Sequence, residues 1–179
     1  MTIDDSPNSC PFLSPADVPG YRMEYSINQP SNGRMISELW LKYASDGTET
    51  GGKVKISVFP VNNKDKAFEL AERLYYAITD KNQGTAIGRP TPGSLTGVRI
   101  GNFCWAYTVG FVPRITPRKG ATIMFVQRAY FVRLQVEGGG EAVEDAFVDG
   151  LGRKVADTLK TWSRPPGFPP GEDYDRDDD

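Results

Sequence analysis

The spacing of apolar side chains changes character several times along the chain, and each change marks an element. Over residues 21–27, Tyr21, Met23, Tyr25 and Ile27 alternate with Arg22, Glu24 and Ser26, the two-residue period of a half-buried strand. Residues 28–33 contain Pro30 and an Asn-Gly pair and read as a turn. A second strand is expected over 35–43 and a third over 53–61, where Val54, Ile56 and Val58 alternate with Lys53, Lys55 and Ser57. The links are too short for a helical crossover, so these strands should form an antiparallel meander.

Between 62 and 80 the period lengthens to that of a helix. Asn62 or Asn63 supplies an N-cap acceptor, and Ala67, Leu70, Ala71, Leu74, Tyr75 and Ile78 recur on one helical face. Residues 82–97 are turn-rich, with a short edge strand expected near 85–87. Strands follow at 98–100, 103–112, 121–126 and 130–136. In the second of these, Phe103, Trp105, Tyr107, Val109 and Phe111 share one face, and Cys104, Ala106, Thr108 and Gly110 share the other. That division reads as a central strand covered on both sides, with the small face suited to close approach of a helix. A last helix over 142–162 carries Val148, Leu151, Val155, Leu159 and Trp162 as its stripe, and Arg164 and Pro165 end it. Gly150 and Gly152 are unfavourable inside a helix, which implies a late start or tight packing there. Strand runs punctuated by single helices give an α+β class, an antiparallel β-sheet of about seven strands with two main helices.

Three stretches, VPGYRMEYSI, the helix NKDKAFELAERLYYAITD and the run ATIMFVQRAYFVRLQV followed by a C-terminal helix, resemble the PsbP-like α/β/α sandwich. This is the fold of the extrinsic photosystem II subunit P and, in shape, of small Ran-binding nuclear import factors. The resemblance spans residues 21–162. It implies a sandwich fold and a mostly non-catalytic role, a binding or accessory module whose partner is a protein. The absence of histidine and of an export segment keeps metal-retention and lumenal roles of the photosynthetic members from being carried over.

Charge layout sharpens the partner. The 179-residue chain has 21 Lys and Arg against 23 Asp and Glu, but the ends hold a disproportionate share of the acids. Residues 1–20 carry −3 and residues 165–179 carry −5, leaving +6 on the body. No acid occurs between Asp80 and Glu137, a 56-residue stretch of charge +8. Its cations Arg89, Arg99, Arg114, Arg118, Lys119, Arg128 and Arg133 are the candidate partner-binding residues, provided neighbouring strands gather them into one positive field. The alternative is ordinary solubilising charge scattered over loops and both faces. Both ends are rich in Pro and Asp, so the expected organisation is a disordered tail at 1–20, one domain at 21–164 and a second disordered tail at 165–179.

The remaining candidate chemistry is sparse. With no histidine and two cysteines, His-based triads, His-ligated zinc and imidazole proton shuttles have no residues to build them. Cys10 and Cys104 are far apart, and Cys104 reads as a small core residue. Glu137, Glu141, Glu144 and Asp145 are available as paired acids but sit where acids complement a helix N-terminus. Asp173, Asp175 and Asp177 have only the opening spacing of a calcium loop. GGK at 51–53 and GGGE at 138–141 lack phosphate-loop spacing and read as turns. No catalytic residues, metal or cofactor are assigned.

The expectation is a non-enzymatic module contacting an acidic protein surface. A small-ligand protein or enzyme with an apolar cleft, and a binder of nucleic acid or an anionic membrane surface, stay open as alternatives. Nucleic acid is the less expected partner, because the alternation puts Trp105 and Tyr107 with three other apolar side chains on a face that reads as core. No apolar run of membrane-spanning length occurs, and the sequence as it stands points to the cytoplasm, or to export if a leader has been removed.

Overall fold

Eight consecutive buried positions, Gly120–Gln127, form the strand around which the domain is organised. A computed structural model describes residues 12–29, 35–81, 91–109 and 119–168. Among them, six strands of seven residues or more form one antiparallel sheet: β1 (Tyr21–Gln29), β2 (Met35–Tyr43), β3 (Glu49–Pro60), β5 (Phe103–Val109), β6 (Gly120–Gln127) and β7 (Tyr130–Gly138). A two-residue segment, β4 (Thr91–Pro92), pairs with β5 at the edge, giving the order β1-β2-β3-β7-β6-β5-β4. The helices are α1 (Lys64–Lys81) and α2 (Asp145–Thr161).

The alternation of side chains decides which face meets which helix. Val54, Ile56 and Val58 of β3, Val132, Leu134 and Val136 of β7, and Ile123 and Phe125 of β6 join the stripe of α2 in one core. Met124, Val126 and Phe131 point the other way and pack with Ala67 and Ala71 of α1. The helices therefore lie on opposite faces of the sheet. Asn63 caps α1, its Oδ1 accepting the Lys66 N–H at 2.9 Å.

Several expectations are corrected. The strand expected at 98–100 is irregular chain, with Val98 and Arg99 exposed and only Ile100 buried. Asn102 N–H is donated to Val126 O, and the ladder begins one residue later, at Phe103. The edge strand expected near 85–87 and residues 110–112 of the next one lie outside the described residues. Strand β5 is covered on both faces but lies beside the sheet edge, and β6 is the more central strand. Helix α2 begins at Asp145, three residues later than the expected start at 142.

The largest correction concerns residues 12–20. Averaged composition makes them tail, yet Phe12, Leu13 and Val18 are 2%, 1% and 0% exposed and belong to the core on the α2 side. The segment crosses the domain as a strap. Ser14 and Asp17 close a turn, the Asp17 carboxylate accepting both the Ser14 N–H and its hydroxyl at 2.7 Å. Asp17 also lies 3.6 Å from Lys154 of α2, and the Ser14 hydrogen bond chiefly holds its carboxyl below the usual range. Phe12 stacks at a tilt on Trp162, 5.2 Å between centroids. At the other end Phe168 is buried in the same core, so 165–168 also belong to the domain. Residues 1–11 and 169–179 lie outside the described residues.

Beneath the strap sits Glu38 of β2, 1% exposed. One carboxylate oxygen accepts the Phe12 N–H at 2.6 Å and the other the Trp40 indole N–H at 3.3 Å. Burial outweighs these donors and the Leu13 backbone, pushing the carboxyl up to about 7. A carboxyl raised in the folded state stabilises the fold below its unfolded value, near 4.5, and loses that contribution as pH rises through about 7. The stability advantage of the wild type over Glu38→Gln should therefore shrink by roughly 2–3 kcal/mol between about pH 5 and pH 8 in urea unfolding. Parallel pH profiles for the two proteins would show that Glu38 does not titrate in this way.

The α2 glycines make a second test. A Cβ at Gly150 meets nothing within 4 Å, whereas one at Gly152 would lie 3.2 Å from Ile100 Cδ1 and 3.6 Å from Ile123 Cδ1. Gly150→Ala should stabilise by about 1 kcal/mol from helix propensity, and Gly152→Ala should gain less or lose stability. Equal gains in thermal midpoint at both positions would contradict the close contact at Gly152.

Candidate functional site

The α1-side face changes chemistry along its strands, from the row of Phe59, Phe131 and Val126 to the rows of Arg133 and Gln135. Under α1 it is aromatic and apolar: Trp105 packs on Phe68 and Tyr75 with centroids 5.8 and 6.3 Å apart, and Phe59 stacks on Phe131. Helix α1 packs on β6 and β7. Beyond it the same face is polar. The register places Ser37, Ser57 and Arg133 in one row across β2, β3 and β7, and Leu39, Lys55, Gln135 and Thr122 in the next.

Arg133 stands at the boundary. Its Nη2 donates to the Tyr107 hydroxyl at 3.2 Å, reaching across β6 to β5, about 9–10 Å away at normal strand spacing. Its Nε is buried and has no hydrogen-bond partner. Among the described residues no carboxylate lies within 4.0 Å of Arg133 or of Lys55. Lys53 is different, paired with Glu137 at 2.9 Å. Ser37 and Ser57 are buried between taller neighbours, and Ser37 donates to Ile56 O at 3.0 Å. The arrangement holds two cations without counter-ions on neighbouring strands, one of them with an unused donor.

The other cations singled out in the sequence are dispersed. Lys119 is exposed at the start of β6 and Arg128 lies in the turn after it, so eight residues, about 27 Å of strand, separate them. Arg128 adopts φ 53, uncommon for a non-glycine residue, and its Nη1 donates to Lys160 O at 2.7 Å, satisfying a carbonyl at the end of α2. Arg99 is exposed in the irregular chain before β5. Arg89, Arg114 and Arg118 lie outside the described residues. The described four thus do not form one patch, and Arg133 alone joins the polar half of the sheet face.

The acids are structural. Glu141 pairs with Lys42, Glu137 with Lys53, and Asp145 occupies the first turn of α2. Asp149, which sequence reading passed over, is fully buried; its carboxylate accepts from Leu95 N, Thr96 N and Thr96 Oγ1 at 3.1, 2.7 and 2.5 Å and so ties the 93–97 turn to α2. The two glycine-rich places meet each other: a Cβ on Gly139, at φ 61, would lie 2.2 Å from Gly52 N. GGK therefore belongs to strand β3, not a turn, and its glycines admit the close approach of the 138–140 turn. No described residues form a group of three metal-ligating side chains, and no described helix is long and apolar enough to cross a membrane. Asp173, Asp175, Asp177 and Cys10 lie outside the described residues.

Compared with protein-family models, with curated proteins and with solved structures, the chain matches none.

Cys104 faces the α2 core, and burial pushes its thiol up to about 12, with Asp149 adding to the shift. In a Cys10→Ser chain at about pH 8, Cys104 should react with a disulfide reagent at least about tenfold more slowly than an unperturbed thiol, the loss of thiolate outweighing its higher nucleophilicity. Reaction at the unperturbed rate would overturn this placement.

Proposed function

We propose that the chain is a non-enzymatic binding module, a PsbP-like α/β/α sandwich of about seven strands that receives an acidic protein surface on the polar half of its α1-side face. The observation that carries this reading is the pair Lys55 and Arg133, both without a carboxylate partner on adjacent strands of that face. Like charges left uncompensated on a sheet raise the local positive potential and draw in an anionic surface. The half-buried Leu39 and Leu41 on the same face supply apolar contact beside the charges. The antiparallel sheet with one helix on each face supports the sandwich assignment.

The test is fluorescence anisotropy with a labelled Glu-Ser repeat peptide and its Gln-Ser counterpart. The Glu-Ser peptide is expected to bind more tightly, and to lose about tenfold in affinity both in Lys55→Glu and on raising salt from about 20 to about 300 mM. Arg99→Glu, away from the face, should leave affinity within about twofold. Equal losses for both variants, or binding indifferent to salt, would reject this face as the contact.

A further inference from the structure

Helix α1 packs on β6 and β7, which leaves β1, β2 and β3 without a described helix on that face. Helices lying side by side keep their axes about 8–10 Å apart, and two strand spacings are about 9.5 Å, so the next helix position falls over β3 and β2. There Leu39, Leu41 and Tyr43 project from alternate positions of β2, with Tyr25 of β1 opposite Leu39. All four are half-buried, and among the described residues none joins either core. The wall beside this strip belongs to α1. Phe68 and Tyr75 meet Trp105 of β5, so the opposite flank of the helix, with Leu70, Arg73 and Ala77 at i, i+3 and i+7, looks toward β3.

Accessible cations border the strip. Lys55 stands opposite Leu39 on β3, Arg73 is exposed on the α1 flank, and Arg22 lies 4.6 Å over the Tyr43 ring. None of the three has a carboxylate within 4.0 Å among the described residues. Glu137 is paired with Lys53, while Glu24 in the β1 bulge and Glu49 at the start of β3 lie at the margins. The uncompensated charge therefore concentrates between β2 and α1, at Lys55 and Arg73. Resting on the acidic-surface reading, we infer that the element received here is an acidic amphipathic helix of the partner, laid beside α1 with its apolar stripe on Leu39 and Leu41 and its acids toward Lys55 and Arg73. A sheet face offers side chains alone, so an extended segment laid on it would leave its backbone N–H and C=O groups unpaired, whereas a helix pairs its own and presents a stripe.

The experiment titrates the full chain with a peptide of about 20 residues whose leucines form one helical stripe among glutamates, with a shuffled peptide of the same composition, and with a striped peptide carrying Gln for Glu. Anisotropy gives affinity, circular dichroism gives peptide helicity, and leucine methyl NMR locates contact. The striped acidic peptide is expected to bind at least about tenfold more tightly than either control and to gain helix on binding. It should shift the Leu39 and Leu41 methyl signals and leave Leu151 and Leu159, under α2, in place. Leu39→Asn with Leu41→Asn should weaken it about tenfold and Arg73→Glu about threefold or more, while the leucine pair leaves the Glu-Ser peptide within about twofold. If striped and shuffled peptides bind equally and both remain sensitive to Lys55→Glu, the helix is overturned and the acidic-surface reading survives. Equal binding of the Gln version overturns both. Binding with the Leu39 and Leu41 signals fixed places the contact elsewhere and overturns the inference, as does movement of those signals with protein concentration alone, which assigns the face to a second copy. The NMR arm uses wild-type protein, so a variant that fails to fold leaves the result decisive.

Discussion

Two-sided burial of β6 is the constraint on which the rest of the molecule depends. A strand whose residues are all buried must be covered on both faces, and the chain has two long helices among its described elements to do it. One lies on each side, drawn there by Ile123 and Phe125 for α2 and by Met124 and Val126 for α1. Strand β7 shares the arrangement because its Val132 and Phe131 lie opposite Phe125 and Val126. With both helices committed to the middle of the sheet, β2 lies beyond their contacts and each of its faces is resolved differently. On the α2 side the strap carrying Phe12 and Leu13 covers Trp40 and Glu38; on the other side the residues turn polar. The candidate site is thus a consequence of where β6 requires the two described helices.

Periodicity made most elements legible because it reports on local burial. The α1 stripe, its Asn63 cap and the alternation of β2 and β3 follow from patterns within a few residues, and the structure reproduces them. What the pattern lacked was sheet order. Lys55 and Arg133 are separated by nearly eighty positions in sequence, and only the antiparallel pairing of β3 with β7 brings them to one face. Lys55 was visible as a solvent-side residue of its strand, but its significance depends on a non-local neighbour. The described members of the basic run show the complementary point: closeness in sequence puts Lys119 and Arg128 together, while one extended strand holds them apart.

The strap was missed because Pro and Asp dominate the average over residues 1–20, whereas folding responds to Phe12, Leu13 and Val18 individually. A local signal was present. Ser14 and Asp17 stand three residues apart, where the Asp17 carboxylate accepts the Ser14 N–H and hydroxyl and the Asp17 N–H returns to the Ser14 carbonyl. Burying three apolar side chains contributes about 1.5–3 kcal/mol each, enough to offset much of the ordering entropy of a short segment already stiffened by two prolines.

The same domain places three charged groups where water is scarce, and the difference among them bears on function. Asp149 gathers three donors and fixes the turn at 93–97; Glu38 gathers two and fixes the strap. Each joins segments distant in sequence, and for Glu38 the two donors offset only part of the cost of burial. Arg133 joins β7 only to a tyrosine hydroxyl that its neighbours already position, and it keeps a buried donor unused. Methionine or leucine at that place would extend the apolar surface of Met124 and Phe131 under α1 without the penalty. What it does tie is β7 to β5, two strands apart, through the Tyr107 hydroxyl across β6.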